Sequence, residues 1–259
     1  MKRAIALVLT LILMFSLASC GLDPAGETWK IDEGETRLIA HRGLSGLKTE
    51  NTVAAFVAAG ERSYYGIEAD VKRTADGGFI ICHDDTLEKL TGQGIRVEDS
   101  TIEELLEVEI SDRAGEERLA RLEEFISVCK TYDKQAILEF KSSFTEAEVK
   151  KIIEIITDLG YIHRTTFISF NYTLLTYVRK ELPGASCQYL AKKIDEATVD
   201  RLIRDGFDLG VSYSALTLSA LERLHAADRE VNCWTVNSKW VAELLISIGV
   251  DYITTDILE

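Results

Sequence analysis

The sequence predicts an α/β fold, a closed (β/α)8 barrel of the TIM type with a β-hairpin arm and a small insertion after strand 2. Short β-rich runs alternate with longer amphipathic segments, and eight such runs are present. This alternation is typical of a parallel sheet covered by helices. A doubly wound open sheet is the alternative, but no glycine-rich dinucleotide-binding motif follows the first strand.

The runs that we expect to form the barrel strands cover residues 37–41, 66–72, 135–140, 165–169, 186–191, 208–212, 231–236 and 251–255. The amphipathic segments between them predict helices at 51–62, 119–131, 145–159, 172–181, 194–205, 216–226 and 238–248. Thr145, Ser238 and the pair Asn51-Thr52 stand where such helices begin, and their side chains are of the type that caps helix N-termini.

The segment after the second strand departs from the alternation. Asp76-Gly77 between two β-rich runs predicts a hairpin, and residues 79–82 are expected to form an extra strand at the top of the barrel. A two-residue loop would set Asp70 opposite His83 on one face of the hairpin, whereas a longer loop would shift this register. Residues 84–118 then form the insertion, a lid or rim over the site.

Residues 1–19 have the features of an export signal. A basic start precedes an apolar run over 4–17, which is shorter than the roughly 20 residues of a membrane-spanning helix. The run ends in Leu17-Ala18-Ser19-Cys20, which resembles the lipobox of bacterial lipoproteins; an ordinary signal peptide is the alternative. The resemblance implies that Cys20 is lipidated and holds the protein at the outer face of the bacterial cell membrane, since two acyl chains give stable anchoring.

Residues 20–36 are polar, contain Pro24 and three glycines, and show no apolar period. This composition predicts a flexible tether between the lipidated Cys20 and the domain. The folded domain is therefore expected to cover residues 37–259.

The net charge of the chain limits the classes of partner and substrate that we expect. The net charge of −14 argues against a nucleic-acid partner, because such binding depends on basic side chains that neutralise phosphates. An anionic substrate would need local positive charge from a metal ion, arginine or lysine.

The four cysteines after Cys20 show no C-x-x-C spacing and lie in apolar segments. We therefore expect core packing, rather than a zinc site or a disulfide framework, for Cys82, Cys129, Cys187 and Cys233.

Three carboxylates, those of Glu68, Asp70 and Glu139, come from strands with apolar neighbours. Such strand ends are where active sites are usually built in this fold. Three carboxylates directed at one place would repel one another, and burial without partners would be costly. A single divalent cation, Ca²⁺ or Mg²⁺, resolves this because both prefer oxygen ligands. The alternative is that each carboxylate is a separate surface or ion-paired residue.

His41 and His83 follow strands and lie beside these acids in the sequence. Imidazoles titrate near neutral pH, so the pair is expected to act as general acid and general base. Arg42 and Lys141 can supply positive charge for phosphate, with rim ion pairs as the alternative. Arg42 would point inward only if the chain bends at Gly43.

Aromatic residues near the ends of late strands are Phe170, Tyr189 and Trp234. Core packing is the default expectation for each. Trp234 is the best candidate for a wall of the substrate site, since it stands at a strand end beside polar residues and pockets favour aromatic linings.

Together these residues indicate metal-assisted cleavage of a phosphodiester. The ordered series resembles the glycerophosphodiester phosphodiesterase family, over nearly all of 37–259, in the pieces IAHRG (39–43), ENT (50–52), GIEADV (66–71), DGGFIICHD (76–84), LEFK (138–141), WTVN (234–237) and GVDYITTD (249–256). The resemblance implies the same barrel with its hairpin arm, the same metal ligands and histidines, and Arg42 and Lys141 near phosphate. It also implies that Glu50 lies close to the metal or to the substrate glycerol.

The expected reaction is hydrolysis of a glycerophosphodiester to glycerol 3-phosphate and an alcohol. The alternatives are a surface lipoprotein that binds such diesters without turnover, and an enzyme of the same fold that acts on lysophospholipids or teichoic-acid-like polymers. The head group, the choice of metal, the attacking group, the oligomeric state and the assignment of acid and base to the two histidines stay open at this stage.

Overall fold

The computed structural model describes residues 26–112 and 115–259. The predicted signal peptide and the predicted lipidation site, Cys20, lie outside these residues. In the part of the chain that is described, no helix is both long and apolar enough to cross a bilayer.

The strands among the described residues are, in chain order, β1 (Arg37–Ala40), β2 (Gly66–Arg73), β3 (Phe79–Ile81), β4 (Ile110–Asp112), β5 (Gly115–Glu117), β6 (Ala120–Arg121), β7 (Gln135–Phe140), β8 (Thr165–Ser169), β9 (Ser186–Ala191), β10 (Asp208–Ser212), β11 (Val231–Trp234) and β12 (Tyr252–Thr255). β1, β2 and β7 to β12 are parallel neighbours, and pairing of β1 with both β12 and β2 closes the ring. The predicted eight-stranded barrel is confirmed.

The α-helices are α1 (Val53–Gly60), α2 (Glu88–Thr91), α3 (Ile102–Leu106), α4 (Leu122–Thr131), α5 (Glu146–Asp158), α6 (Tyr172–Glu181), α7 (Glu196–Asp205), α8 (Leu218–His225) and α9 (Lys239–Ser247), with 3-10 turns at Val97–Asp99, Ile162–Arg164 and Tyr213–Ala215. α5 shows why these segments form helices. The Thr145 side chain and Glu148 satisfy each other's backbone N–H groups in a capping box. The residues that α5 buries, Val149, Ile152, Ile153 and Ile156, follow the helical period and face the sheet.

Two apolar layers support the barrel. The larger layer lies between the strands and the surrounding helices. The smaller layer fills the barrel interior with Ile39, Ile137, Ile168, Leu190 and Tyr252. Alternate residues of a strand face the same side, so the side chains two positions further along these strands also face inward. Several of those residues are polar, and they therefore collect at the carboxyl end of the barrel, above an apolar floor.

The hairpin arm is present, but the register expected for a two-residue loop is wrong. β3 pairs with β2 so that Arg73 lies opposite Phe79 and Val71 opposite Ile81, and the Cys82 N–H donates to the Asp70 carbonyl at 2.8 Å. Asp70 is therefore opposite Cys82 and not His83. The reason is a three-residue loop that ends in Gly77 at φ +75°, a left-handed conformation that suits a bulged hairpin.

The insertion carries a small core of its own. Ile80 and Cys82 of the arm pack with Leu87, Val97 and Leu105. β3 pairs with the last residues of β2, and β6 pairs with β3. The arm and the insertion are therefore attached to the barrel at the end of β2. The four predicted core cysteines, Cys82, Cys129, Cys187 and Cys233, are buried, and no disulfide joins them within the described chain.

Ordered structure begins before residue 37, within the stretch expected to be a tether. The Trp29 N–H donates to the Ile257 carbonyl at 3.0 Å, and the Glu259 N–H donates to the Trp29 carbonyl at 2.9 Å. The Lys30 ammonium lies 2.8 Å from the Glu259 carboxylate. Apolar burial and backbone pairing therefore bind this segment to the barrel, and the sequence expectation failed because Trp29 and Ile31 are isolated apolar residues without a period.

Substitution of Gly66 tests how closely β2 packs against β7 in the barrel. A Cβ atom on this residue would lie 2.8 Å from the Gln135 carbonyl oxygen and 2.4 Å from Ile137 Cδ1. We expect Gly66→Ala to lower the free energy of unfolding by about 1–3 kcal/mol, the usual cost of overpacking a filled interior. Urea denaturation measures this, with Gly184→Ala as the control because its Cβ would have no described atom within 4 Å. Equal stability of the two variants would contradict the packing described for β2 and β7.

Candidate active site

The candidate site is a cavity of about 210 Å³ at the carboxyl end of the barrel. Its lining includes His41, Arg42, Glu68, His83, Glu139, Lys141, Ile168, Phe170, Leu190, Lys192, Asn232, Trp234, Thr235 and Thr254. Most of these residues come from strands or from the residues that directly follow them, as expected for active sites of this fold. Six of the predicted catalytic and binding residues line this cavity together with Trp234.

The three predicted metal ligands meet below the cavity. One oxygen from each of Glu68, Asp70 and Glu139 lies within 4.8 Å of the others, and all three residues are buried. β2 and β7 pair in a register that sets Asp70 directly beside Glu139. Burial, followed by the charge of Asp70, raises the pKa of Glu68 to about 8 and that of Glu139 to about 7. These raised pKa values indicate that the side chains around the cluster do not supply enough positive charge to keep all three carboxylates ionised at neutral pH.

The cluster fits a hard divalent cation. Asp70 Oδ1 is buried and accepts no hydrogen bond from any described residue, although buried polar atoms are normally paired. The second oxygen, Oδ2, accepts from Asn51 Nδ2 at 2.9 Å. Burial opposes ionisation of Asp70, but the charges of Lys141 and Arg42 outweigh it and lower its pKa. An ionised carboxylate with one oxygen that accepts no hydrogen bond, beside two more carboxylates, could hold a metal ion of the Ca²⁺ or Mg²⁺ type.

Arg42 points into the site, and the bend that brings it there begins at Arg42 itself. Its φ is +56°, and that of Gly43 is +76°. A Cβ on Gly43 would lie 2.6 Å from the Ala55 backbone, so the tight turn requires glycine. The Arg42 N–H donates to the Glu68 carboxylate at 2.8 Å. The guanidinium lies 3.2 Å from the Asp70 carboxylate and donates to Glu50 at 2.9 Å.

Lys141 and Glu50 complete the charge network. The Lys141 ammonium lies 2.8 Å from the Glu139 carboxylate and 3.5 Å from that of Asp70. Glu50 pairs with Arg42 and, on its other oxygen, with Lys89 of α2 at 2.9 Å. Glu50 therefore links Arg42 to the insertion. The expected positive charges are present, and each contacts an acid of the cluster.

His41 is held by a carboxylate from the other end of the chain. Its Nδ1 lies 2.7 Å from Asp256 Oδ1. Asp256 also accepts from the Ser45 hydroxyl at 2.9 Å and from Asn237 Nδ2 at 2.6 Å. Burial lowers the pKa of His41, but the hydrogen bond to Asp256 and the charges of Glu68 and Asp256 outweigh it, so the pKa is raised.

His83 has the opposite electrostatic environment. It lies in the loop after β3, with its Nδ1 2.6 Å from Asp84 Oδ1. Burial lowers its pKa; Asp70 opposes this change, whereas the nearby charges of Lys141 and Arg42 lower the pKa further. The two histidines on the cavity therefore differ: the pKa of His41 is raised and that of His83 is lowered.

The opposite wall of the cavity is aromatic. Trp234 packs edge-on against Phe170 with ring centroids 5.5 Å apart. Trp234 Nε1 is buried and has no hydrogen-bond partner in the described chain. Phe170 was expected in the core, yet it is 40% exposed, because no element covers the residue that follows β8. Tyr189 is half-buried and packs against Tyr172 at the edge of the outer core.

Three polar residues organise the site although the sequence did not predict this role for them: Asn51, Asp256 and Asn237. Asn51 was noted only as part of a helix start, but its positive φ of 61° turns its side chain toward Asp70. Asp256 stands in the piece GVDYITTD, directly after β12. Because closure makes β12 the neighbour of β1, a carboxylate at that position was within reach of His41.

Comparison with known proteins agrees with this geometry. The model of the Glycerophosphoryl diester phosphodiesterase family matches residues 41–259. A glycerophosphodiester phosphodiesterase of Caldanaerobacter subterraneus subsp. tengcongensis is 32% identical over 230 residues, which cover 86% of this chain and 94% of that protein.

Solved structures give the same result. The structure of an Oleispira antarctica phosphodiesterase in complex with the product sn-glycerol-3-phosphate has a TM-score of 0.76 and 27% identity, over 85% of this chain and 92% of that one. A glycerophosphodiester phosphodiesterase from Parabacteroides distasonis has a TM-score of 0.72 and 28% identity, over 86% and 93%. With this barrel, site and match, the chain belongs to the glycerophosphoryl diester phosphodiesterase family and is a phosphoric diester hydrolase of that kind.

Proposed function

We propose that this enzyme hydrolyses glycerophosphodiesters to glycerol 3-phosphate and an alcohol, with one divalent cation and with His41 and His83 as the acid–base pair. The observation that carries the proposal is that three buried carboxylates cluster beside a cavity lined by His41, His83, Arg42 and Lys141. The product bound in the Oleispira antarctica relative supports the choice of glycerol 3-phosphate.

Glu68, Asp70 and Glu139 are the proposed ligands of the cation, Ca²⁺ or Mg²⁺. When bound, the cation supplies positive charge that polarises phosphate and glycerol oxygens. Arg42 and Lys141 contact these same carboxylates, so in the loaded site their N–H groups are available to stabilise charge on the phosphate. Glu50 orients the Arg42 guanidinium beside the substrate glycerol, and Trp234 forms the wall on which the substrate rests.

The contacts of the two histidines support one assignment of their proposed roles. His83, neutral and fixed through Nδ1 by Asp84, takes one proton of the attacking water molecule at Nε2, and the water oxygen attacks phosphorus. The new P–O bond forms as the bond to the leaving alcohol breaks. His41, protonated and fixed through Nδ1 by Asp256, gives its Nε2 proton to that alcohol oxygen. Transfer of one proton from His83 to water and of one from water to His41 restores the site.

We also propose export and lipid anchoring at Cys20, with residues 1–19 as the signal peptide. Support comes from the apolar run and from Leu17-Ala18-Ser19-Cys20, and the anchor would hold the enzyme at the outer face of the cell membrane. Cys20→Ala should release the protein from membranes or block its maturation. Membrane fractionation and mass spectrometry test this; an unlipidated Cys20 with unchanged fractionation would refute it.

Loss of one metal ligand should remove metal binding and activity together. Glu68→Gln, Asp70→Asn and Glu139→Gln each replace a charged oxygen donor by a neutral amide that a hard cation binds poorly. We expect a sharp fall in glycerophosphocholine turnover and in Ca²⁺ or Mg²⁺ affinity measured by calorimetry, with the fold retained by circular dichroism. Full activity of any of these variants after chelator treatment would argue against a shared metal site.

The acid and the base can be separated by the leaving group. His41→Ala and His83→Ala should each reduce glycerophosphocholine turnover by roughly 10²–10⁴-fold. On glycerophospho-p-nitrophenol, His41→Ala should show a much smaller reduction in turnover, because p-nitrophenolate leaves without a proton. The reduction for His83→Ala should be as large as on glycerophosphocholine. Equal losses on both substrates for both variants would show that the histidines serve in orientation rather than proton transfer.

Asp256→Asn should move the basic limb of the pH profile. Activity needs neutral His83 and protonated His41, so it rises as His83 deprotonates and falls as His41 deprotonates. The two apparent pKa values belong to the pair. Removal of the Asp256 charge lowers the pKa of His41, so the basic limb shifts to lower pH, and turnover at neutral pH falls by about 10–100-fold, as for other histidines that lose a carboxylate partner.

The control for this experiment is Asp228→Asn, which changes an exposed carboxylate in a turn where φ is +55°, a conformation that asparagine tolerates. It should leave the profile unchanged. A basic limb that stays in place in Asp256→Asn would exclude Asp256 as the residue that tunes His41.

A further inference from the structure

One side of the cavity takes no part in the proposed chemistry. Ile168 and Phe170 of the β8 segment line it, together with Leu190 and Lys192 of the β9 segment. Residues two apart on a strand face the same side. Ile168 and Leu190 are buried in the barrel interior and form the inner part of this wall. Phe170 and Lys192 form its outer part, which we call the rim.

Lys192 differs from the other cations of the cavity. Arg42 and Lys141 both contact carboxylates of the metal cluster. The Lys192 side chain is exposed, and no hydrogen bond or ion pair joins it to any described residue. An exposed ammonium on a cavity wall keeps its charge for a ligand, because no internal partner neutralises it.

The rim offers no counter-charge to a cationic head group. The carboxylates that line the cavity within the described chain are Glu68 and Glu139, and both belong to the proposed metal cluster. The Phe170 ring already lies near one cation, since the Lys141 ammonium is 5.9 Å from its centroid, and Trp234 packs edge-on against it. A quaternary ammonium at the rim would therefore lie beside the positive charges of Lys141 and Lys192, with no carboxylate of the rim to balance its charge.

The geometry points to a subsite for a second anion. We propose that Lys192 determines specificity by binding a second phosphate on the leaving alcohol, so that glycerophosphodiesters with a phosphorylated alcohol are preferred over those with a neutral or cationic alcohol. The inference rests on the proposed function and names its substrate class. The scissile phosphate lies among His41, His83, Arg42 and Lys141. The leaving alcohol extends along the aromatic wall, and its own phosphate reaches Lys192 at the rim.

The test compares three substrates that share the scissile group: bis(glycerophospho)glycerol, whose leaving alcohol carries a phosphate; glycerophosphoglycerol, whose leaving alcohol is neutral; and glycerophosphocholine, whose leaving alcohol is cationic. The measured quantity is the ratio of kcat/KM for the first substrate to that for each of the other two. The parent enzyme should prefer the first substrate. Lys192→Met should lower the ratio by about tenfold, the value of one charge-assisted hydrogen bond.

Two further variants define the effect. Lys192→Arg keeps the charge and should retain the ratio, whereas Lys192→Glu should lower it further. Lys193→Met is the matched control, because Lys193 is an exposed neighbour that lies outside the cavity lining. This variant should leave the two ratios of kcat/KM unchanged. Added salt should reduce the ratio in the parent and have less effect in Lys192→Met, since screening weakens exposed charges.

The outcomes separate this inference from the proposed function. If the parent cleaves glycerophosphodiesters but Lys192→Met keeps the parental ratio, the subsite is refuted and the proposed function stands. A parent that prefers glycerophosphocholine also refutes the subsite alone. If the parent cleaves none of the three substrates with either metal, the proposed function fails, and the subsite fails with it.

Discussion

The central constraint on this molecule is the presence of three carboxylates in a small buried volume at one end of the barrel. Their repulsion and burial raise the pKa of Glu68 and Glu139, and only nearby positive charge can relieve this. Arg42, Lys141 and the backbone N–H of Arg42 all turn toward the cluster. The left-handed turn at Arg42 and Gly43 brings the Arg42 side chain and N–H group into those contacts. Stability and chemistry therefore depend on the same electrostatic balance.

Much of the fold was predictable from the sequence, because local signals agreed with the global architecture. Each barrel strand is a short apolar run, and capping residues such as Thr145 mark where helices begin. Four of the eight barrel strands have the expected bounds, and each of the other four differs by one or two residues at one end; β11, for example, ends at Trp234 rather than at 236. The hairpin register failed because the loop length depends on the conformation of Gly77, which Asp-Gly alone does not specify.

The candidate site was predictable in its charged residues but not in the residues that orient them. Glu68, Asp70 and Glu139 follow from the strand ends alone. Asp256 lies 215 positions from His41, so only barrel closure makes them neighbours. Asn51 required a backbone conformation that sequence does not reveal. The exposure of Phe170 depends on which loops happen to cover a strand end, and the attachment of Trp29 depends on a pairing partner at the far end of the chain.

The apolar floor of the barrel has a kinetic consequence. Ile39, Ile137, Ile168, Leu190 and Tyr252 fill the interior, so the cavity is closed at its base, and ligands enter and leave through its mouth at the carboxyl end of the barrel. In the proposed orientation the alcohol lies between glycerol 3-phosphate and that mouth. The two products must then leave in a fixed order, the alcohol first. Glycerol 3-phosphate, the last to leave, is the product that competes with the next substrate for the empty enzyme.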